Sequence, residues 1–162
     1  MKRRTILPIV TVILLAACGE NNNTEENQEN TQSSVPDAQA STVTANPEVV
    51  TADGISASTI TARVADLNGN PWAFGEIQIG VWEDSNVILT GDGFTILDPS
   101  FATDQSGVAQ ATIVSTLVGS RTIAAQVSYL TQYQCSQEIC PGASALQSLI
   151  LEQQPVIQFV ER

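Results

Sequence analysis

The stretch STITARVADLNGNP, from Ser58 to Pro71, decides the predicted fold of this chain. Apolar and polar residues alternate from Thr59 to Asp66, which is the period of a strand that buries one face. The residues of DLNGNP then favour a turn, because Asn and Gly tolerate positive φ and Asp bonds nearby backbone amides. The stretch therefore predicts a half-buried strand that ends near Asp66 and a second strand that begins near Phe74.

Three later segments, EIQIGVWE, GVAQATIVS and RTIAAQVSY, repeat the same alternation. Segments rich in Gly, Asp, Asn and Ser separate them, as turns require. PVIQFVER is predicted to be the closing strand, with an unclear register because both of its faces carry apolar residues. We predict an all-β fold, an antiparallel Ig-like β-sandwich over residues 48–162. The inward residues are predicted to be Ile60, Ala62, Val64, Ile77, Ile79, Val81, Ala109, Ala111, Ile113, Ile123, Ala125 and Val127.

Two segments do not show the alternation of a half-buried strand clearly. ASALQSLILEQ, residues 143–153, has the composition of a helical turn, and we predict one there. The strand assignment of residues 83–102 and 130–155 stays open.

The spacing of DLNGNP also suggests a calcium-binding loop. A hand-type loop closes with a bidentate Glu at its twelfth position, and counting from Asp66 that position is Ile77. Position 5 is Asn70, which Pro71 follows at once. We therefore predict no metal site, although weak calcium binding through Asp66 and a neighbouring acid stays open.

The N-terminus has the pattern of an export signal. Lys2, Arg3 and Arg4 precede an apolar run from Ile6 to Ala17 that is too short to cross a bilayer, which takes about 20 residues. The run ends in LAAC, which resembles the lipobox of bacterial lipoproteins. The resemblance implies a lipoprotein signal peptide over residues 1–17 and acylation of Cys18. An ordinary secretory signal with an incidental Cys18 is the alternative.

Acylation of Cys18 implies that the partner of the N-terminus is a membrane, reached through a lipid anchor. Gly19 follows, where many lipoproteins retained in the inner membrane have Asp. The outer membrane is therefore expected, with either the cell surface or the periplasmic face open.

Residues 18–47 are predicted to be an acylated Cys and a disordered tether, because they are rich in Asn, Gln, Glu, Ser and Thr. A binding tail is the alternative interpretation. Removal of residues 1–17 leaves three arginines against 17 acids, a net charge of −14. Nucleic acid is therefore excluded as a partner, because its phosphates bind Lys and Arg.

Two segments carry a resemblance to a known family. TADGISASTITARVADLNGNP, residues 51–71, and TDQSGVAQATIVSTLVGSRTIAAQV, residues 103–127, resemble the bacterial Ig-like domain of group 1, the type found in invasin and intimin. The resemblance covers about residues 48–130 and implies a sandwich used in adhesion. WAFG at residues 72–75, the longer middle segment and the C-terminal part depart from the family pattern.

The remaining candidate residues point to structure and binding. Cys135 and Cys140 are an even pair in an exported chain, which predicts a disulfide pinning a C-terminal excursion. Trp72 and Trp82, with Phe74, are candidates for a binding surface for a protein or glycan. Their alternative role is packing over the sandwich.

Catalysis is not expected. The chain has no histidine, and its one lysine lies in the predicted signal peptide, so the usual serine nucleophiles cannot form. A carboxylate pair among Glu76, Glu83, Asp84 and Asp92 stays open, with a solvated face as the alternative. We predict no cofactor.

Three functions remain. The first is a non-enzymatic outer-membrane lipoprotein that presents an Ig-like domain for adhesion or for assembly of a surface structure. The second is a periplasm-facing accessory lipoprotein of an envelope complex. The third is a carbohydrate-binding module.

Overall fold

The computed structural model describes residues 35–134 and 139–162, and for residues 132–134 and 139–144 it describes the backbone alone. Within these residues the regular structure is entirely β. No helix in this part of the chain has the length and apolar character needed to span a membrane. The strands are β1 Pro36–Asn46, β2 Val49–Thr51, β3 Ala57–Asp66, β4 Glu76–Glu83, β5 Asn86–Ile88, β6 Thr90–Gly91, β7 Phe94–Leu97, β8 Val108–Ser115, β9 Gly119–Gln134, β10 Ile139–Ile150 and β11 Val156–Val160.

The strands form two sheets that pack face to face. The first sheet has the order β1-β3-β8-β7-β6, and the second has the order β2-β11-β9-β4-β5. β10 pairs with β9 along the same edge as β11, so β9 has β4 on its other side. All pairs are antiparallel except β2 with β11. The predicted Ig-like sandwich is thus confirmed.

The core consists of the inner faces of both sheets. The twelve residues predicted to point inward are all buried, none exposing more than 2% of its surface. Period-2 alternation therefore located these strands correctly, because one face of each must leave water. In β11, Ile157 and Phe159 point inward, which fixes the register that the sequence left open.

The predicted disordered tether is wrong for residues 36–46. These residues form β1, which pairs with β3 from Pro36↔Asp66 to Asn46↔Thr59. Val43 and Ala45 enter the core, and Ser41 is buried beside them. The polar composition concealed a short alternating segment, whose backbone is stabilised by the hydrogen-bonding edge that β3 offers.

The predicted helical turn over residues 143–153 is also wrong. The segment belongs to β10 up to Ile150, paired with β9 from Ser144↔Gln132 to Ile150↔Gln126. Its Ala, Leu and Gln residues favour a helix by propensity, but the ladder of β9 determines the conformation. The middle segment, left unassigned from sequence, contains β5, β6 and β7.

β9 is long enough to leave the sandwich. Its pairing with β4 ends at Ser128↔Glu76, and six further residues continue to Gln134. β10 pairs with this extension, from Gln147↔Tyr129 to Ile139↔Gln134. We call residues 129–134 and 139–147 the arm.

Candidate functional site

The sandwich has two ends with different loops. β1 begins at Pro36, which pairs with Asp66 at the last residue of β3, and we call this the near end. At the opposite end, which we call the far end, β3, β7 and β9 begin. The far end carries the loops of residues 52–56, 92–93 and 116–118. The near end carries the turn of residues 67–75 and the arm.

A cleft of about 320 Å³ lies at the far end. Its lining residues are Gly54, Gly91, Gly93, Phe94, Thr95, Val114, Ser115 and Thr116. Three loops distant in sequence meet there through backbone hydrogen bonds. Gly54 N–H donates to Ser115 C=O at 2.9 Å, and Thr116 N–H donates to Gly93 C=O at 2.7 Å.

Glycines keep this cleft open. Gly54 and Gly93 have φ of 74° and 75°, which favours glycine over residues with a Cβ. A Cβ on Gly93 would overlap Leu117, and one on Gly91 would lie 2.5 Å from Cε1 of Phe94. The shape of the cleft therefore depends on the absence of side chains at these positions.

Ile55 is presented beside the cleft on a fixed loop. Asp53 Oδ1 accepts hydrogen bonds from Ile55 N–H at 2.8 Å and Ser56 N–H at 2.6 Å, and Oδ2 accepts one from the Ser56 hydroxyl at 2.8 Å. These donors, Ser56 N–H first, hold the pKa of Asp53 below its usual value. The side chain of Ile55 is 84% exposed, so an apolar residue stands in water on a pre-organised turn.

Arg121 adds a cation next to Phe94, one of the cleft residues. Its guanidinium carbon lies 5.6 Å from the centre of the Phe94 ring, within cation–π range. Nη1 donates to Ser120 C=O at 3.1 Å and Nη2 to Asp92 C=O at 3.4 Å, while the buried Nε has no partner. Both bonds go to neutral carbonyl groups and use one of the two N–H donors on each Nη, so each Nη keeps a second N–H for an acidic ligand.

Leu117 and Val118 complete the exposed apolar surface of the far end, each about half exposed. Together with Ile55 they form what we call the far-end surface. These apolar side chains lie at the same end of the sandwich as the cleft and the Arg121 cation. Such a combination suits binding of a macromolecule.

The turn after β3 proves to be a structural element. Asp66 Oδ1 accepts hydrogen bonds from Asn68 N–H and Asn70 N–H, both at 2.9 Å, and Oδ2 accepts one from Asn70 Nδ2 at 3.1 Å. Asn70, through its side chain first, lowers the pKa of Asp66. Gly69 has φ of 81°, as such a turn requires. The carboxylate thus holds the turn that leads from the first sheet to the second.

Trp72 does not lie on a binding surface, which corrects the prediction from sequence. Only 9% of it is exposed, and it belongs to the core. The indole lies directly over Gly75, where a Cβ would overlap the ring. Thr103 Oγ1 donates to Trp72 C=O at 2.7 Å and accepts from Gly75 N–H at 3.0 Å. Within the family departure WAFG, Trp72 therefore fills the near end of the core.

Phe74, unlike Trp72, faces solvent. It is 70% exposed and has φ of 58°, which is unusual for a bulky residue. Phe101 and Leu67, which were not among the candidates predicted from sequence, are also exposed at the near end. Leu67 lies in the predicted turn DLNGNP, where exposure of an apolar residue could have been expected, whereas Phe101 has no such signal.

Trp82 is half-buried on the outer face of β4. It pairs with Val87 of β5, which is itself buried. The two tryptophans therefore lie apart, one in the core and one on an outer sheet face. They do not form a common surface.

The predicted cysteine chemistry falls on residues that the structure does not describe. Cys18 and Cys135 lie outside the described residues, as does the side chain of Cys140. Acylation of Cys18 and the Cys135–Cys140 disulfide stay predictions from sequence.

The acidic residues considered for catalysis are exposed. Glu76, Glu83, Asp84 and Asp92 all face solvent. Among the residues that the structure describes, no three His, Cys, Asp or Glu side chains lie close enough together to hold a metal.

Comparison with known proteins assigns most of this chain to a protein family. A family model described as "Invasin, domain 3" matches residues 37–138, more than half of the chain. No curated protein matches the chain.

Three solved structures are similar to this chain, and the invasin structure, with a TM-score above 0.5, shares its fold. Invasin, described as a bacterial integrin-binding protein, is 21% identical over 80% of this chain and 20% of its own, with a TM-score of 0.51. InvD of Yersinia pseudotuberculosis is 23% identical over 70% of this chain and 29% of its own, with a TM-score of 0.49. The D00-D0 domain of intimin is 22% identical over 74% and 46%, with a TM-score of 0.45. The chain thus spans about a fifth of the invasin structure.

Proposed function

Since this chain belongs to the invasin domain 3 family of invasin/intimin-type bacterial Ig-like domains, we propose that it is an adhesion module of the bacterial cell surface. The role is non-enzymatic. In this proposal Cys18 carries a lipid anchor in the outer membrane, and the sandwich makes contact with a protein partner. The lipobox resemblance at residues 15–18 supports the anchor.

The far-end surface is the part of the sandwich that we assign to binding. The observation that carries this assignment is Ile55, 84% exposed on a loop that Asp53 fixes with three hydrogen bonds. A rigid apolar residue loses little entropy on binding, so its burial contributes more to affinity. The far end also lies opposite Pro36, through which the chain enters from its N-terminal side.

Arg121 indicates the chemistry of the partner. The described part of the chain is strongly acidic, and Arg121 is one of only three cations after residue 4. A partner with an apolar patch and a nearby carboxylate would bury Ile55 and pair with the guanidinium. A partner with a broad acidic surface would be repelled.

Adhesion of intact bacteria that produce the full chain to epithelial-cell monolayers tests the assignment. Ile55→Ser with Leu117→Ser is expected to lower adhesion about tenfold or more, as loss of apolar anchors worth about 1.4 kcal/mol or more would. The matched control is Leu67→Ser with Phe101→Ser, which removes exposed apolar residues from the near end. Equal loss in both double variants, or none in the first, would contradict the assignment.

Protease treatment of the same intact cells tests the location. We expect the sandwich to be digested without lysis, and we expect Cys18→Ser to abolish its retention in the membrane fraction. Complete protection of the anchored chain would instead support the periplasm-facing accessory lipoprotein. Binding on a glycan array that Trp82→Ala abolishes would support the carbohydrate-binding alternative.

A further inference from the structure

The outer edge of β10 is a free strand edge without charge. β10 pairs with β9 alone, so its other edge has no strand partner among the described residues. From Ile139 to Leu151 the sequence contains no Asp, Glu, Lys or Arg. Proteins usually protect such edges with charges, prolines, bulges or short length. The segment from Ser144 to Ile150 has none of these.

The other edges of the two sheets are protected. β1 contains Asp37 and a register shift between Asp37 and Thr42. β5 has three residues and follows Glu83 and Asp84, while β2 and β6 are equally short or shorter. β10 is therefore the edge best able to accept another strand.

The hydrogen-bonding phase of β10 shows which groups are available. Leu151 N–H donates to Ala125 C=O at 3.0 Å, so Leu151 forms a hydrogen-bonded pair with β9. In the same register residues 145, 147 and 149 also face β9 with their N–H and C=O groups. In an antiparallel pair the bonded residues alternate. The N–H and C=O groups of Leu146 and Ser148 therefore point away from β9, towards the free edge.

Leu146 also presents an exposed apolar side chain. It pairs directly with Leu130 of β9, and the two are 70% and 61% exposed on the outer face of the arm. Leu130 lies three residues after Val127 along β9, so its side chain points to the opposite face from Val127, which is buried in the core. Leu146, directly opposite Leu130, points to the same outer face. An apolar cross-strand pair thus lies next to a free edge.

We propose that this edge joins two copies of the chain through antiparallel pairing of β10 with β10, centred on Leu146. In this register Leu146 of one copy lies opposite Leu146 of the other, and each donates its free N–H to the other's C=O. The outer face then carries a row of four leucines, Leu130 and Leu146 from each copy, at strand spacings of about 4.8 Å. The register is self-complementary, as a twofold contact requires.

Net charge favours this edge over the acidic surfaces of the chain for self-association. The chain carries −11, so two copies repel each other wherever acidic faces meet. The uncharged β10 edge removes like charges from the immediate contact. Gln39 Nε2 lies 3.4 Å from Glu152 Oε1 beyond the end of β10, outside the pairing centred on Leu146.

Sedimentation velocity of the full chain in mild detergent tests the proposal. We expect a concentration-dependent dimer for the native chain. Leu146→Lys places two like charges opposite each other and is expected to weaken self-association at least about tenfold. Leu67→Lys, at a leucine of the near-end turn that is 80% exposed, is the matched control and should dimerise like the native chain.

A charge-swap mixture separates the interface from effects on folding. Leu146→Lys and Leu146→Glu should each be monomeric alone, and their mixture should form a heterodimer because opposite charges then face each other. A native chain that stays monomeric overturns the proposal and leaves the edge for a strand of another protein. Undiminished association of Leu146→Lys, or no association in the mixture, overturns it as well.

Discussion

Thr103→Val should destabilise the sandwich through hydrogen bonds alone. Thr103 is 2% exposed, and its hydroxyl bonds both Trp72 C=O and Gly75 N–H. Valine has nearly the same shape, so no cavity arises, but both backbone groups lose their partner. Two lost bonds at about 1 kcal/mol each, with part of the cost of burying unpaired groups, give a loss of about 2 to 4 kcal/mol.

Urea denaturation of the native and variant chains, followed by tryptophan fluorescence, measures this loss. With a slope of about 2 kcal/mol per molar urea, the midpoint should fall by about 1 to 2 M. Thr103→Ser keeps the hydroxyl and loses one methyl group, so it should cost only about 1 kcal/mol. Thr59→Val, at an exposed position of β3, should change stability by less than about 0.5 kcal/mol.

The order of the two Thr103 variants decides whether the reasoning holds. If Thr103→Ser destabilises more than Thr103→Val, then packing of the methyl group, and not the hydroxyl, holds the turn to the segment of residues 101–103. A loss below about 1 kcal/mol for Thr103→Val would show that water replaces the hydroxyl at this site.

Two further changes test the near end of the sandwich. Gly75→Ala should cost about 1 to 3 kcal/mol and shift the tryptophan emission, because the new Cβ would overlap the Trp72 indole; an unchanged emission maximum in urea-free buffer would contradict this. The hydrogen bonds that lower the pKa of Asp66 stabilise the fold while the carboxylate is charged, so the native chain should be more stable than Asp66→Asn above pH of about 5 and should lose that advantage as the pH falls below about 4. A stability difference that denaturation finds unchanged from pH 6 to pH 3 would refute the role of the charge.

The interior strands were predictable because they bury one face against the opposite sheet. Ile60 and Ile79 lie in runs whose alternation has no competing period, and both are fully buried. The edge strands were not predictable from local pattern. β1 is polar and small, and the segment of β10 from Ala143 to Ile150 is rich in Ala, Leu and Gln, which favour a helix, so both strands depend on backbone pairing with a neighbour far away in sequence.

The candidate site was less predictable than the fold. The far-end cleft forms where Gly54, Gly93 and Thr116 meet, and no local pattern records that contact. Ile55 looks like any apolar residue before a strand, and only the structure shows it in solvent. For Trp72 the sequence suggested exposure, but the residue is buried. Its burial depends on Thr103 and on Gly75, whose missing side chain makes room for the indole.

The two proposed contacts use different parts of the sandwich. The far-end surface lies where β3 and β9 begin, whereas the arm extends beyond the near end. Antiparallel pairing of β10 with its copy directs the two far ends away from each other. One dimer therefore cannot present both far ends to the same target, and pairing adds no avidity on a single surface. Self-association through Leu146 and adhesion through Ile55 thus act independently, one joining copies of the chain and the other binding a partner.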